Sequence, residues 1–274
     1  MTKRTIAVNL GRHAVLVAGS LLIIGPFLWM LTTALQTRAE NYTNASVLPT
    51  SWHWENFIHA WEAAPFGQYY LNSLVMTAGI VGGHLVLDAL AAYAFARLRF
   101  PLKNAIFFVL LAALIVPTFV TIIPAYSLTA SLGWIDTYAG LIAPRLADVF
   151  GIILLRQFFS TIPLELEEAA RIDGCSRAGT FLRIIVPLSR PAFATLGIFS
   201  FLFAWNDFLW PLLVTNSDDL RTIQIGLSAF QGRYGTSWNY LMAGTLTATI
   251  PSILVFLVFQ RALVRGIAMT GLKD

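Results

Sequence analysis

This sequence contains little cysteine or histidine, and it lacks the common catalytic signatures. Its single cysteine excludes an internal disulfide framework and any cysteine-based metal cluster, and its four scattered histidines form no zinc-binding motif. The chain contains no G-x-x-x-x-G-K-S/T phosphate-binding loop, no H-E-x-x-H pair and no G-x-S-x-G turn. The sequence therefore predicts no catalytic residue, no metal site and no cofactor within this chain.

Charged residues are also scarce. They form 12% of the 274 residues, whereas hydrophobic residues form 57%. Several apolar runs reach the roughly 20 residues that a helix needs to cross a bilayer, which excludes a soluble globular class. The composition thus predicts an all-α integral membrane protein with six transmembrane helices. The predicted spans are 13–35, 70–96, 104–126, 138–159, 192–214 and 241–260.

The basic residues are distributed unevenly between the connections of these spans. Fourteen of the eighteen lysines and arginines lie on the side that holds both termini, and only three lie in connections on the opposite side. Because connections rich in lysine and arginine stay in the cytoplasm, residues 1–12 and the C-terminus are predicted to be cytoplasmic. The net charge of +4 therefore reports orientation in a cell membrane surrounded by lipid, and not a nucleic-acid partner.

Several side chains predict how the spans pack. Gly79 and Gly83 form a small-xxx-small pair that lets a neighbouring helix approach closely. Pro117 and Pro124 predict a bent third span, because neighbouring groups must replace the backbone hydrogen bonds that proline removes. In the outer connection, residues 36–69, apolar residues at helical spacing predict a short amphipathic helix at the membrane interface. Those residues are Trp54, Phe57, Ile58 and Trp61.

Six polar side chains in the spans are candidates for a solute path, because a charged group at membrane depth faces the protein interior or a water-filled cavity. They are His84, Asp88, Arg145, Asp148, Asn206 and Asp207. His84 lies one turn before Asp88 on the same helix face. Arg145 and Asp148 match either a local i,i+3 ion pair or a contact on the path. The fifth-span residues match either the path or an interfacial anchor ahead of Pro211.

The connection between the fourth and fifth spans, residues 160–191, is the most densely charged stretch of its length. Thr161 is the candidate N-cap of a first helix, with Pro163 in its first turn. Three acidic residues follow where the helix dipole favours negative charge. They are Glu165, Glu167 and Glu168. The connection is therefore predicted to begin with a short acidic helix that faces water.

A glycine turn and a second helix are predicted to follow. Gly174, after Asp173, is suited to the left-handed cap that ends a helix. Ser176 is placed to cap the second helix, and Pro187 and Pro191 are predicted to bend the chain back towards the membrane. The apolar face of the second helix repeats at i, i+3, i+4 and i+7. It comprises Phe181, Ile184, Ile185 and Leu188.

From Thr161 to Pro191 this connection resembles the "EAA" signature of ABC-transporter permease subunits. The matching residues are Glu168, Ala169, Ala170, Asp173, Gly174, Phe181 and Pro187, with Leu188 and Pro191, while Cys175 stands where the family usually has alanine. The resemblance implies that this stretch is the coupling loop, whose first helix seats in a cleft of a cytoplasmic ATPase. We hypothesise further that Glu168 pairs with a basic group of that ATPase and that Gly174 holds the turn.

Later stretches are similar to carbohydrate-import permeases of the maltose type. They are residues 204–211, 241–245, 259–261, Gly266 and 271–273, with Asp274 in place of the usual final glycine. The resemblance implies a type I ABC importer permease fold in which residues 13–274 form a single transmembrane permease domain. It also implies a second homologous permease subunit, two copies of a cytoplasmic ATP-binding subunit and an extracytoplasmic solute-binding protein. The binding protein is expected to meet residues 215–240, and the C-terminal tail to reach the ATPases.

The resulting prediction is a membrane-spanning permease subunit of an ATP-driven ABC importer for a sugar or related polar solute, with ATP hydrolysed by partner subunits. An importer of glycerol phosphate or a glycerophosphodiester stays open as an alternative. An ion-driven secondary transporter is a second alternative, although the chain shows no convincing internal repeat. A third is a non-transporting scaffold that tethers a soluble enzyme through residues 160–191.

Overall fold

The computed structural model describes the backbone of residues 3–43, 47–232 and 235–271, and the side chains of those between residues 11 and 260. The closing residues Leu272, Lys273 and Asp274, and with them the prediction for the C-terminal tail, lie outside the described residues. The helices of the first half are α1 (Lys3–Leu35), α2 (Arg38–Thr43), α3 (Glu55–Glu62), α4 (Phe66–Gly83), α5 (Ala89–Arg97), α6 (Lys103–Ala113), α7 (Thr118–Ser131) and α8 (Tyr138–Ile142).

The second half of the chain is also mostly helical. Its helices are α9 (Val149–Thr161), α10 (Glu165–Ile172), α11 (Arg177–Thr180), α12 (Val186–Leu188), α13 (Arg190–Trp205), α14 (Leu209–Val214), α15 (Ile223–Ser228) and α16 (Trp238–Gly271). Two π-helical segments, His84–Asp88 and Phe181–Ile185, join α4 to α5 and α11 to α12. A short antiparallel hairpin pairs β1 (Gln231–Gly232) with β2 (Gly235–Thr236) before α16.

The predicted all-α membrane architecture is confirmed, and the helices form six crossings when each bent pair counts as one span. Within the described residues, the stretches 11–35, 66–97 and 238–260 are single helices that are long and apolar enough to cross a bilayer. The other three crossings are helix pairs that meet at a bend. The bends are 102° between α6 and α7, 44° between residues 138–145 and α9, and 79° between residues 177–188 and α13.

Proline accounts for the sharpest of these bends. Pro117 is extended, with φ −60° and ψ 135°, and it immediately precedes α7. The residue before a proline is disfavoured in a helix, so α6 ends ahead of it at Ala113. Pro124 lies inside α7 without ending that helix. The predicted bend in the third span therefore occurs at the first proline alone.

The fifth span differs from its predicted bounds of 192–214. Helix α13 ends at Trp205, and α14 is a separate helix. In a continuous helix Pro211 would have no N–H for the carbonyl of Asp207, and its ring would clash with that carbonyl. The chain therefore leaves the helix before this aspartate. Asn206 and Asp207 lie in the connection between α13 and α14 and not on a helix face.

The chain divides into two compact units. One comprises residues 1–67 with 226–250, and the other comprises residues 68–225 with 251–274. Each unit has its own buried side chains.

In the first unit, the predicted amphipathic helix is present as α3, but a polar residue anchors it. The buried Asn56 donates through its side-chain amide to the carbonyls of Ala34 and Gln36, at 2.8 and 3.0 Å. Trp54 and Ile58 are both 60% exposed. The predicted apolar face is therefore divided, because Trp61 donates to the hydroxyl of Thr247 in the same unit at 3.3 Å and Phe57 is half-buried.

The second unit is built around the contact between α5 and α9. Its core includes Ala89, Ala92, Tyr93, Phe95, Ile152, Leu155, Phe159, Phe181, Ile185 and Leu196. The glycines of α4 lie against the fourth span: a Cβ on Gly79 would come within 2.9 Å of Ile142, and one on Gly83 within 2.6 Å of the carbonyl oxygen of Leu146. The predicted close approach at these two glycines is confirmed, because no side chain has room there.

Candidate functional site

The first helix of the connection between the fourth and fifth spans, α10, starts later than predicted. Thr161 is the last residue of α9, and its hydroxyl donates to the carbonyl of Phe158 at 2.8 Å. Ile162 is extended, with φ −73° and ψ 131°, which is the conformation favoured before Pro163. Because Ile162 is extended, the new helix begins later, at Glu165, and Pro163 lies ahead of its first turn and not in it. The prediction that Thr161 caps α10 is therefore wrong.

The turn that ends α10 agrees with its prediction. Gly174 has φ +80°, in the left-handed region that residues with a Cβ rarely adopt. Its N–H donates to the carbonyl of Arg171 at 3.0 Å, and the N–H of Cys175 donates to the carbonyl of Ala170 at 2.8 Å. These two bonds form a Schellman cap, which satisfies carbonyls at the end of the helix.

The second helix of the connection begins at its predicted cap and packs on the second span. The Ser176 hydroxyl accepts a hydrogen bond from the N–H of Gly179 at 3.2 Å. Phe181 is 8% exposed, and its ring centroid lies 5.0 Å from that of Tyr93. Pro187 is half-buried in α12, after which the chain turns by 79° into α13. The aromatic contact holds the second helix on the end of the second span.

Helix α10 has one face against the protein and one face towards solvent. Glu167 and Ala170 are buried, whereas Glu168 and Ala169 are exposed and Ile172 is 87% exposed. Asp173 is exposed as well. A cleft of about 350 Å³ beside the helix is lined with charged side chains. They include Arg97, Arg99, Glu168, Arg171 and Arg177.

The buried acid of α10 has a partner that the sequence did not identify. Glu167 Oε1 lies 2.9 Å from Arg97 Nε, and the two side chains are 3% and 5% exposed. The hydroxyl of Tyr93 donates to Glu167 Oε2 at 3.4 Å. Arg97 also donates to the carbonyls of Phe159 and Ile162, at the end of α9. This buried ion pair therefore joins α10 to the ends of two spans.

The polar residues of the second span lie on its π-helical segment. His84 and Asp88 are 2% and 0% exposed. His84 Nε2 is 2.9 Å from the carbonyl oxygen of Arg145, and its Nδ1 is 2.8 Å from the hydroxyl of Ser200. Because a carbonyl can only accept, Nε2 carries the proton and Nδ1 accepts from the serine. Asp88 Oδ1 accepts a bond from the N–H of Asp148 at 2.9 Å.

His84 and Asp88 together close the break in the fourth span. A 3₁₀ turn ends at Arg145 and α9 begins at Val149, so backbone groups between them lack helical partners. His84 donates to one of the freed carbonyls, and Asp88 accepts from one of the freed N–H groups. Both side chains thus stabilise the break by bonding its backbone groups. Their contact with a solute stays a prediction.

Arg145 pairs with the connection after the fifth span and not with its near neighbour. Its Nη2 lies 3.0 Å from Asp207 Oδ2, and its guanidinium lies over the rings of Phe203 and Trp210, at 5.2 and 5.7 Å from their centroids. Asp148 is extended, with φ −134° and ψ 133°, so it does not share a helix face with Arg145. The interpretation of these two residues as a local ion pair is therefore wrong.

A cavity of about 240 Å³ lies beside these polar contacts. It is lined by His84, Asp148, Phe150, Phe199, Ser200 and Phe203. Asn206 stands apart, exposed, with its amide donating to the carbonyl of Leu202 at 2.8 Å. The six candidate path residues thus form one group of three, His84, Arg145 and Asp207, and one pair, Asp88 and Asp148, while Asn206 bonds elsewhere.

Known proteins share both the sequence and the fold of this chain. The family model described as "Binding-protein-dependent transport system inner membrane component" matches residues 86–269. The chain is 38% identical over 250 residues to the "Probable ABC transporter permease protein YurM" of Bacillus subtilis (strain 168), which covers 90% of this chain and 83% of that protein. It is 38% identical over 264 residues to the "sn-glycerol-3-phosphate transport system permease protein UgpE" of Escherichia coli O1:K1 / APEC, covering 93% and 94%.

Two solved structures resemble the fold. A chain of a bacterial ABC transporter involved in the import of the acidic polysaccharide alginate superposes with a TM-score of 0.83 at 20% identity, covering 96% of this chain and 99% of that one. A bacterial alginate ABC transporter in complex with an alginate pentasaccharide-bound periplasmic protein superposes with a TM-score of 0.61 at 15% identity. At these identities the likeness supports the fold of a type I importer permease and carries no information about the solute.

Proposed function

The chain belongs to the family of binding-protein-dependent transport system inner membrane components, and on that premise we propose that it carries a sugar or related polar solute through an ATP-driven importer. It is an inner-membrane permease subunit of an ABC importer. In this proposal residues 13–274 act as one transmembrane domain. Residues 1–12 and the connection 160–191 face the cytoplasm.

The exposed face of α10 is the observation that carries the proposal. Its carboxylate at Glu168 and its apolar side chain at Ile172 face solvent, while the Schellman cap at Gly174 fixes the end of the helix. An isoleucine that is 87% exposed beside charged residues is suited to burial in a partner protein. We take that partner to be a cytoplasmic ATPase, with Glu168 pairing to one of its basic groups.

The complete transporter would contain this chain, a second homologous permease, two copies of the ATP-binding subunit and an extracytoplasmic solute-binding protein. ATP hydrolysis belongs to the partners, because the sequence carries no phosphate-binding loop. Closure of the ATPases would move α10, and the attached spans would then rock as rigid bodies to open the path in alternation. The binding protein would deliver the solute at residues 215–240.

A second candidate solute is glycerol phosphate. Relatives named for sn-glycerol-3-phosphate transport, 36% to 38% identical over 264 residues, favour it. The charge balance at the broken spans does not add support, because Asp207 already neutralises Arg145 and leaves it no free charge for a phosphate. A neutral sugar therefore stays the first choice.

Reconstitution of the complex tests this proposal. The permease pair, the ATPase and the binding protein are assembled in proteoliposomes, and ATP hydrolysis and solute uptake are measured with a sugar mixture or with sn-glycerol 3-phosphate. We expect hydrolysis to rise when the loaded binding protein is added, with uptake of the solute that the binding protein retains. The importer would be contradicted, and a scaffold favoured, if the ATPase did not co-purify with this chain or if its rate of hydrolysis did not change when the binding protein was added.

A further inference from the structure

The ion pair between Arg97 and Glu167 lies where three segments of the second unit meet. Arg97 is the last residue of α5, and Glu167 is in the first turn of α10. The guanidinium also donates to the carbonyls of Phe159 and Ile162, which end α9. We propose that Arg97 and Glu167 are positioning residues that make α10 a rigid extension of the second and fourth spans. This inference rests on the proposed role of α10 in coupling to an ATPase.

The energetics of the pair favour a positioning role over a purely stabilising one. Both side chains are at least nine-tenths buried. Withdrawing two charges from water costs several kcal/mol per ion, and apolar residues of similar size stabilise such sites equally well or better. The best-attested use of a buried pair is to select one register between two elements. The register selected here is that of α10 on the ends of α5 and α9.

Arginine has the geometry for this task and lysine does not. Its planar fork offers Nε to the carboxylate and Nη2 to the two carbonyls, so one side chain binds α10 and α9 at the same time. Tyr93 supports the carboxylate from the same helix as Arg97. A displacement of α10 is therefore transmitted to the ends of both spans through the ion pair and the hydrogen bonds of Arg97.

The pair also determines which acid faces the ATPase. Successive residues of an α-helix are separated by about 100° around its axis, so burying Glu167 turns Glu168 outwards. Glu168 is exposed accordingly. Rotation of α10 that released Glu167 would carry Glu168 away from its docking direction.

Two matched substitutions test the proposal in the reconstituted complex. Glu167→Gln removes the charge with little change in shape, and Glu62→Gln makes the same change at the exposed end of α3, outside the docking helix α10. The measurements are solute taken up per ATP hydrolysed, and hydrogen exchange of the amides of Glu165–Ile172. We expect Glu167→Gln to lower the uptake per ATP about tenfold, within the range found for coupling residues, and to speed exchange in α10. Glu62→Gln should leave both within twofold of the unsubstituted protein.

A double substitution separates positioning from folding. Arg97→Met with Glu167→Leu replaces the ion pair by apolar side chains, which avoids the unpaired buried charge that either single substitution to an apolar residue would leave. The proposal expects this double variant to fold and assemble while its uptake per ATP stays low. An uptake per ATP equal to that of the unsubstituted complex would overturn it. So would a Glu167→Gln variant in which uptake and hydrolysis fall in proportion to the amount of folded complex.

Arg97→Lys provides a further check, with Arg12→Lys at an exposed position of α1 as its control. Lysine keeps the charge but loses the fork, so we expect reduced coupling at position 97 and normal coupling at position 12. If the unsubstituted complex shows no hydrolysis stimulated by the binding protein, the proposed function itself fails. That result is distinguishable from a failure of the positioning role, which leaves the unsubstituted transporter active.

Discussion

The exposed charges of the connection that contains α10 and the polar groups at the broken spans have opposite roles. In the connection, Glu168 and Asp173 are exposed, while the buried pair of Glu167 with Arg97 and the cap at Gly174 hold the helix. At the broken spans, Asp88 is fully buried and Arg145 is bound to Asp207, so each charge has a task inside the protein. The first arrangement suits a surface that a partner covers, and the second suits a frame that holds helices together.

The difference teaches where a charge is replaceable. An exposed charge interacts weakly through water, and its loss changes little unless a partner binds it. A buried charge that loses its partner remains in a low-dielectric environment and destabilises the fold strongly. The two regions should therefore respond differently to the same kind of substitution.

The largest expected effect follows from removing one partner of the ion pair between Arg145 and Asp207. Asp207→Leu leaves the guanidinium of Arg145, whose side chain is 16% exposed, without its carboxylate partner, which should lower the free energy of unfolding by up to about 3–5 kcal/mol. The double variant Arg145→Met with Asp207→Leu should recover most of that loss. Thermal unfolding of the detergent-solubilised complex measures both.

An exposed ion pair provides the control for that experiment. Asp218 Oδ1 lies 2.6 Å from Arg221 Nη1, and the two side chains are 64% and 40% exposed. Asp218→Leu should cost less than about 1 kcal/mol, because water screens the pair. If the substitutions at positions 207 and 218 lowered the free energy of unfolding equally, the contrast between the largely buried pair and the exposed pair would not hold.

A smaller effect is expected from crowding Asp88. A Cβ on Gly151 would lie 2.1 Å from Asp88 Oδ2, so Gly151→Ala must displace the carboxylate that holds the N–H of Asp148. Overpacking of this kind costs about 1–3 kcal/mol. Gly197→Ala is the matched change, since no atom lies within 4 Å of its Cβ position in α13. Unfolding that starts at the same temperature in both variants would contradict the tight contact.

A substitution at Gly174, in the turn of the connection, should reduce the coupling of ATP hydrolysis to transport more than it reduces stability. Gly174→Val places a β-branched residue at φ +80°, where the left-handed conformation costs roughly 1–2 kcal/mol. We expect the helix end to shift and ATP hydrolysis to uncouple from transport, with membrane insertion intact. Gly174→Asn is the control, because asparagine tolerates this conformation. A valine variant that transports normally would show that the turn is not required.

The smallest effect concerns an exposed acid in the outer connection. The pKa of Glu40 is lowered from 4.5 to about 2, first by the hydrogen bond from the Thr50 hydroxyl and then by the backbone N–H groups of Thr37 and Thr50. A lowered pKa in the folded state contributes stability above the ordinary pKa, and this contribution is lost as the pH falls from 4.5 to about 2.

Carboxyl carbon NMR of labelled glutamate measures the effect at Glu40. Thr50→Val removes the first donor, so the titration should move up towards 4.5. A Glu40 that titrates near 4.5 in both proteins would show that these hydrogen bonds are not formed.

Local signals in the sequence were sufficient for the turns of the connection. Gly174 and Ser176 form the predicted cap and N-cap, because each depends on residues within five positions along the chain. Pro163 was a local signal too, but its effect on Ile162 overrode the capping preference of Thr161. Within this stretch, the errors arose from competition between two local rules.

Pairing across the chain could not be predicted from spacing. Arg145 bonds Asp207, 62 positions away, although Asp148 offered a partner at helical spacing. The break after Arg145 removed that spacing, and nothing nearby in the sequence indicates where the guanidinium turns instead. Glu167 had one usable signal, since it lies three residues before Ala170 on the buried face of α10. Its partner at position 97 required the packed helices.

The break in the fourth span has a consequence for the energy balance of the cell. Free backbone groups within a membrane attract water, and a continuous file of water conducts protons. Here an imidazole and a carboxylate from the second span occupy those groups at the break. Those two groups are therefore not available to anchor a file of water, which removes one route for proton leakage through the interrupted crossing.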